Sequence, residues 1–290
     1  MIIAVTVNPA IDVTSRGEAF EPGRLNRLGE TVVNAGGKGI NAARMAKALG
    51  GSVLAVGFSG GAEGDFFLSL LRNENLPHRF LRAGLTRINT KLIDRNGELT
   101  ELNAPGGEVG DGAWRDLEAL LTGLAAPGTV FVLSGSLPPG SDPGWYGSMI
   151  AALQERGAAT VLDASGEALR LGVLAQPGVI KPNKSEREGL DISAYRGLTA
   201  NSLGAEGARF VQNGRSWFVP GLPVEVASPA GAGDCMTGAL AYALEANLPP
   251  EEAFLLAAAC ATASVMTPGT ACPALPAVFD LRKRLTIVRE

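Results

Sequence analysis

The sequence predicts an α/β protein: a central, mostly parallel sheet flanked by helices and carrying a small β-sheet lid. Short runs rich in Val, Ile and Leu alternate along the chain with longer helical patterns, and runs that are apolar at every position suit strands buried on both faces. Two stretches, from about 13 to 33 and from about 78 to 103, break that rhythm with a strand-like period of two and predict the lid. With 290 residues, 46% of them hydrophobic and 19% charged, the chain has enough material to bury a full α/β core.

The elements follow in order. "IIAVTV" (Ile2–Val7) is the first buried strand, and "NPAID" after it places Asp12 at the carboxyl end of the sheet, where open α/β proteins bind ligands; an ordinary turn aspartate fits the same position. "NAARMAKALGG" (Asn41–Gly51) is a helix closed by glycines, and "SVLAVGF" is the next strand. "DRNGE" (Asp94–Glu98) supplies an Asn-Gly hairpin turn inside the second lid segment. "TVFVLSG", "ATVLDAS" and "GVIKPN" continue the strand series, with "DPGWYGSMIAALQERG" (Asp142–Gly157) as a crossover helix. From Asp234 to Ala263 two apolar helices follow one another across "NLPPEEA". No internal repeat or low-complexity linker divides the chain, so residues 1–290 are expected to form one domain. An uncovered lid face seeks a partner, which predicts a homodimer.

Composition excludes several functions. A net charge of -4 without long basic runs argues against nucleic acid as a partner. The most apolar late stretch, "AFLLAAACATASVM", is shorter than the roughly 18 residues a spanning helix requires, so no membrane is expected. The start "MIIAVTVNPA" carries no basic leader, and Cys235, Cys260 and Cys272 form no CxxC; both fit a cytoplasmic protein whose thiols pack. His78 is the only histidine, which removes a His-based triad or a His-rich metal centre.

The chemistry concentrates in short motifs. In "AGAGD" the backbone N–H groups of Gly231, Ala232 and Gly233 can converge at a helix N-terminus, an anion cradle within reach of Asp234; a glycine turn with a helix-capping acid fits the same letters. "NAGGKGIN" (Asn34–Asn41) is a second glycine cluster before a helix, where Gly36 and Gly37 allow close approach, Lys38 offers charge and Asn41 offers hydrogen bonds. "TRINTK" sets Arg87, Asn89 and Lys91 on one strand face by period two, able to close over an anion. "LSGSLPPG" ends a central strand with two serines, but without GxSxG or a nearby histidine they bind or shape rather than attack. "KPNKSE" holds Asn183 and Glu186 three residues apart, hard oxygen groups that suit Mg²⁺ carried through water and phosphates. No GxxxxGK[ST] is present, and no GxGxxG follows the first strand.

Taken in order, "NPAID", "GGKGIN", "SGSLPPG", "DASGEAL", "KPNKSE", "SLGAEG" and "GAGD" resemble the ribokinase-like carbohydrate kinases of the phosphofructokinase B type. The resemblance is strongest to the branch of 1-phosphofructokinase, tagatose-6-phosphate kinase and minor 6-phosphofructokinase. It covers nearly the whole chain, and it implies a ribokinase-like fold, a lid that pairs subunits, and ATP and Mg²⁺ as cofactors. By position, it implies Asp234 as the catalytic base and the N–H groups of Gly231, Ala232 and Gly233 as the anion hole. Asp12, Gly36, Gly37, Lys38, Asn41, Asn89 and Ser136 match the sugar side, with Arg87 on the phosphate the sugar already carries. Lys181, Asn183, Ser202, Gly204 and Gly207, with Gly231 and Gly233, match the nucleotide side, and Asn183 and Glu186 the magnesium motif.

The activity so implied is phosphoryl transfer from ATP to fructose 1-phosphate, tagatose 6-phosphate or fructose 6-phosphate, giving a hexose bisphosphate. The alternatives are a ribokinase or nucleoside kinase, and a sugar-phosphate-binding protein with weakened catalysis. Positioning and charge stabilisation supply most of such a reaction's acceleration, and a helix N-terminus is expected to keep Asp234 ionised for the hydroxyl proton. Two departures from the family pattern bear on the nucleotide side. Pro229 stands where a threonine is usual, and only "REGLDISAYRGLTAN" joins Glu186 to Ser202, where relatives place a longer helical stretch and another strand.

Overall fold

All five residues of Ile2–Thr6 (β1) are buried, as a strand covered on both faces requires. The computed structural model describes residues 1–290. After β1 come β2 (Ala10–Arg16), β3 (Thr31–Gly36), α1 (Lys38–Ala48), β4 (Val53–Ser59), α2 (Gly61–Asn73), β5 (His78–Arg82), β6 (Arg87–Ile93), β7 (Leu99–Asn103) and α3 (Asp111–Leu124). The middle of the chain forms β8 (Val130–Ser134), α4 (Trp145–Gln154), β9 (Ala159–Asp163), α5 (Gly166–Leu174), β10 (Val179–Ile180), α6 (Lys184–Glu188) and β11 (Leu198–Ser202). It ends with β12 (Gly207–Gln212), β13 (Arg215–Pro220), α7 (Ala232–Glu245), α8 (Pro250–Val265), α9 (Leu275–Arg284) and β14 (Val288–Arg289).

Ten strands make the main sheet in the order β14-β13-β12-β11-β10-β9-β8-β1-β4-β5. From β5 to β11 every pairing is parallel, and β12 to β14 extend the sheet antiparallel. The alternation of side chains sorts the core into two layers. Ile2, Ala4, Val130 and Val132 pack with α1, α2, α7, α8 and α9, while Ile3, Val5, Phe131 and Leu133 pack with α3, α4 and α5. The apolar-at-every-position runs thus identify strands sandwiched between helix layers.

The lid is a separate sheet of four strands, β3-β2-β6-β7. Its bounds correct the expectation of 13–33 and 78–103. Regular pairing begins at Ala10, the stretch between β2 and β3 is not strand, and β5 belongs to the main sheet, where His78 pairs with Ala55. The alternating letters of "HRFLR" mislead because an edge strand is half-covered, and half-covered strands alternate in either sheet. Phe80 identifies the true location by packing edge-on against Phe67 of α2, with ring centroids 5.2 Å apart. The Asn-Gly turn does join β6 to β7, with Gly97 at φ 82°.

Helix α7 runs close against α1, and Gly238 permits it: a Cβ there would overlap the carbonyl oxygen of Ala42. That backbone approach sets the distance between the N-terminal turns of the two helices. Gly238→Ala is expected to destabilise the protein by about 1–3 kcal/mol through overpacking. Thermal unfolding followed by circular dichroism checks this, and an unchanged midpoint would contradict the close-approach account.

Candidate active site

Four charged side chains meet where β9, β10, α1 and α7 converge. Asp163, the last residue of β9, is fully buried; its Oδ1 lies 3.1 Å from Lys38 Nζ and 3.5 Å from Lys181 Nζ, and its Oδ2 lies 2.9 Å from Thr237 Oγ1. Burial pushes the Asp163 carboxyl up, but Lys181 and then Lys38 outweigh it, and the group sits below the ordinary carboxylate range. Lys38 is correspondingly raised, chiefly by Asp163. Lys38, the charged residue of the second glycine cluster, pairs with this internal carboxylate while its side chain stays 38% exposed.

Asp234 lies in the first turn of α7, 9% exposed, and accepts a hydrogen bond from Asn41 Nδ2 at 2.7 Å. Burial raises its pKa to about 6, with the Asp163 carboxylate adding to the rise and Lys38, Asn41 and Lys181 opposing it. Desolvation thus lifts the carboxyl above its ordinary range, and a group at about 6 is still mostly ionised at neutral pH. Gly231 is the N-cap at φ 86°, a left-handed conformation that glycine adopts without steric cost. The Cys235 N–H reaches Gly231 O, so the amides of residues 232 to 234 precede the first intrahelical bond and have no helical acceptor. Gly233 lies against the Lys181 ammonium.

On the lid, Asp12, Asn89 and Lys91 share one face, because β2 and β6 pair with Asp12 opposite Asn89. Asp12 is on a lid strand rather than at the end of the main sheet, and both its oxygens are engaged, by Asn89 Nδ2 and Lys91 Nζ, each at 3.0 Å. Asn89 keeps a buried Oδ1 without a partner. Arg87 is held at the lid base: Nη1 donates to Ala104 O at 2.9 Å, and Nη2 lies 3.3 Å from Asn8 O and 3.4 Å from Ser136 Oγ, leaving Nε buried and unpartnered. Asn8 Nδ2 ties the same corner to Pro105 O and Ser136 Oγ. Gly36 ends β3, and Gly37 caps α1 at φ 123°.

Beside the N-terminal turns of α7 lies a cleft of about 1140 Å³, lined by Asn183, Ser202, Gly204, Gly207, Pro229 and Gly233 among others. Lys181 and Gly231 are absent from its wall. The short segment after Glu186 does carry a strand, since β11 begins at Leu198 and pairs in parallel with β10, but its only helix before that strand is the five-residue α6. Asn183 and Glu186 form a reciprocal cap on α6: Asn183 Oδ1 accepts from the Glu186 N–H, and Glu186 Oε2 accepts from the Asn183 N–H, both at 2.9 Å. That cap leaves Glu186 one free carboxylate oxygen, and no three His, Cys, Asp or Glu side chains gather as a metal cage. This donor set fits Mg²⁺ carried mainly by phosphate and water.

Reasoning from single motifs missed Asp163, Thr237, Asn8 and Arg44. "LDAS" offered a signal for the first, an acid at the end of a fully apolar strand. Cys235 and Cys260 are buried and Cys272 is half-buried, all as free thiols. No helix is long and apolar enough to cross a membrane.

The profile of "pfkB family carbohydrate kinase" matches residues 3–277. The chain is 33% identical to the 1-phosphofructokinase of Escherichia coli strain K12 over 285 residues, covering 91% of this chain and 90% of the other. It is 30% identical to the tagatose-6-phosphate kinase of Staphylococcus epidermidis over 266 residues, covering 84% and 85%. The crystal structure of phosphofructokinase-2 from Escherichia coli in complex with potassium superposes with a TM-score of 0.92 at 29% identity, covering 98% of each chain. The fold, the ordered motifs and these likenesses agree, and the chain belongs to the pfkB family of carbohydrate kinases.

Proposed function

We propose that this kinase transfers the terminal phosphoryl group of ATP to a hydroxyl of a phosphorylated ketohexose, with Asp234 as the base. The observation that carries the reading is the position of Asp234. It stands at the N-terminus of α7, with free amides beside it, hydrogen-bonded to Asn41 and next to Gly233 in the wall of a nucleotide-sized cleft. The carboxylate orients the acceptor hydroxyl and takes its proton as the sugar oxygen bonds phosphorus and the bond to the bridging oxygen of ADP breaks. The amides of the Gly231–Gly233 turn and the Lys38 ammonium face the charge that develops on the equatorial oxygens. Mg²⁺ bound with the nucleotide neutralises phosphate charge, and Asn183 and Glu186 are the residues that would hold it through water.

Lys38 lies beside Asp163 and serves the transferred group in this reading, so the preference for an already phosphorylated sugar rests on Arg87. Its guanidinium is fixed by two backbone carbonyls and keeps a buried N–H for an anion. Asn89, with a free acceptor, and Asp12 suit sugar hydroxyls. Ser202, Gly204 and Gly207 line the cleft assigned to ATP, where Pro229 withholds a hydroxyl and an N–H from the bound nucleotide.

Asp234→Asn is expected to lower kcat by about 10²–10⁴-fold while sugar-phosphate binding by calorimetry survives. In the wild type, kcat/KM is expected to rise with pH through about 6, since the carboxyl must be deprotonated to accept a proton. ADP release measured over fructose 1-phosphate, fructose 6-phosphate, tagatose 6-phosphate, ribose and adenosine decides the acceptor. Faster turnover of ribose or adenosine would sink the phosphosugar assignment, and an active Asp234→Asn enzyme would sink the base.

The lid also exposes Ile88 and Leu102 on the face opposite Asp12, an apolar pair that a second copy of the chain would cover. Light scattering is expected to give a dimer, and Ile88→Asp with Leu102→Asp a monomer; a monomeric wild type at micromolar concentration would exclude the lid interface.

A further inference from the structure

An asparagine amide has a donor end and an acceptor end of nearly equal size, and only the donor end can support a carboxylate. Asn41 turns its Nδ2 to Asp234 Oδ2, and its Oδ1 accepts from Arg44 Nη1 at 2.8 Å, one turn along α1. A guanidinium carries donors only, so Arg44 can face Oδ1 and not Nδ2. Arg44 is itself immobilised. Its Nε and Nη2 make a two-pronged pair with Glu74 at 2.7 and 2.8 Å, and Nη2 also donates to Ala35 O of the lid strand β3 at 2.6 Å. Glu74 is the C-cap of α2, and Lys47 of α1 donates to the carbonyls of Glu74 and Asn75, which fastens the two helices together. The side chain of Arg44 is 12% exposed, against 33% for Glu74, so the series runs from the surface to the buried carboxylate.

We propose that Arg44, clamped by Glu74, is a positioning residue that locks the Asn41 amide with its donor end on Asp234. The inference rests on the reading of Asp234 as the base. Freed from Arg44, the amide can turn its oxygen toward the carboxylate, an arrangement that favours the protonated acid and removes the base from use. The other charged groups facing Asp234 are Asp163 of β9, Lys38 of α1 and Lys181 after β10, and none of them contacts Arg44. An Arg44 variant therefore perturbs Asp234 through Asn41.

The test is the pH dependence of kcat and kcat/KM for the wild type, Arg44→Met, Arg44→Lys and Glu74→Gln, with ATP and whichever acceptor of the panel the wild type turns over fastest. For Arg44→Met the acidic limb is expected to move up by about one pH unit, so activity falls about tenfold below the limb and less than about twofold on the alkaline plateau. KM for ATP and acceptor should stay within about twofold, because the effect is on the protonation state of the base. Arg44→Lys keeps one donor for Asn41, and Glu74→Gln keeps the shape of the clamp; both should shift less, and they carry the test if Arg44→Met does not fold. In an Asn41→Ala background, Arg44→Met should add no further shift.

A loss equal at every pH, or shifts that add in the double variant, would overturn the inference. An active Asp234→Asn enzyme overturns the base itself. A dead Asp234→Asn enzyme, with an Arg44→Met profile matching the wild type, overturns only the positioning role.

Discussion

The site depends on balancing two buried carboxylates with two lysines. Asp163 ends β9, Asp234 opens α7, Lys38 opens α1 and Lys181 follows β10, so four elements must converge before any charge is compensated. An unpaired buried ion costs several kcal/mol, which makes this convergence a condition of folding as well as of chemistry. The lysines sit closer to Asp163 than to Asp234, and the two carboxyls are driven in opposite directions: one below its ordinary range, the other up to about 6. A pair of titratable groups whose surroundings separate them in this way holds two different protonation equilibria a few residues' width apart, which is what the proposed division into counter-charge and base requires. Thr237, one turn from Asp234 on α7, strengthens the division by touching Asp163 alone of the two.

The letters of the sequence disclosed those parts that are local. Runs apolar at every position identified the parallel strands, and the glycine turn before Asp234 identified a helix N-terminus with free amides, because both properties are settled within a few residues. The Asp163–Lys38 pair escaped notice because its members are 125 positions apart and meet only once β9 and α1 are placed. A still longer separation hid the Asn41–Asp234 bond, which spans 193 positions. The lid bounds slipped for another reason: β5 alternates like a lid strand because it is an edge strand, and alternation reports partial cover, not the sheet to which a strand belongs. Asn183 and Glu186 drew attention for their oxygens, yet their spacing also makes a capping box, so one signal carried two meanings.

The lid and Asp234 are joined by short covalent and hydrogen-bonded steps. Strand β3 ends at Gly36, Gly37 caps α1, and Asn41 lies in the first turn of that helix. Arg44 closes the loop by donating to Ala35 of β3 and to Asn41. A displacement of β3 relative to α1 must therefore alter the surroundings of Asn41, which places the lid in mechanical contact with Asp234 without any ligand between them. Gly238 completes the arrangement from the other side, since the approach of α7 to α1 fixes how far the Asn41 amide must reach.

These opposed shifts give the site opposed linkages to pH. Asp234 has a folded pKa above its unfolded value, so between the ordinary carboxylate range and about 6 the folded chain binds more protons, and the stability this group contributes falls as pH rises through that window. Asp163 has a folded pKa below its unfolded value, so its contribution is present above the ordinary range and is lost as pH falls. At neutral pH the Asp163 network supports the fold while the ionised Asp234 carboxylate opposes it. A carboxylate kept buried and partly desolvated is a destabilising feature that packing elsewhere must offset, and the close α1–α7 contact one turn along α7 supplies such packing.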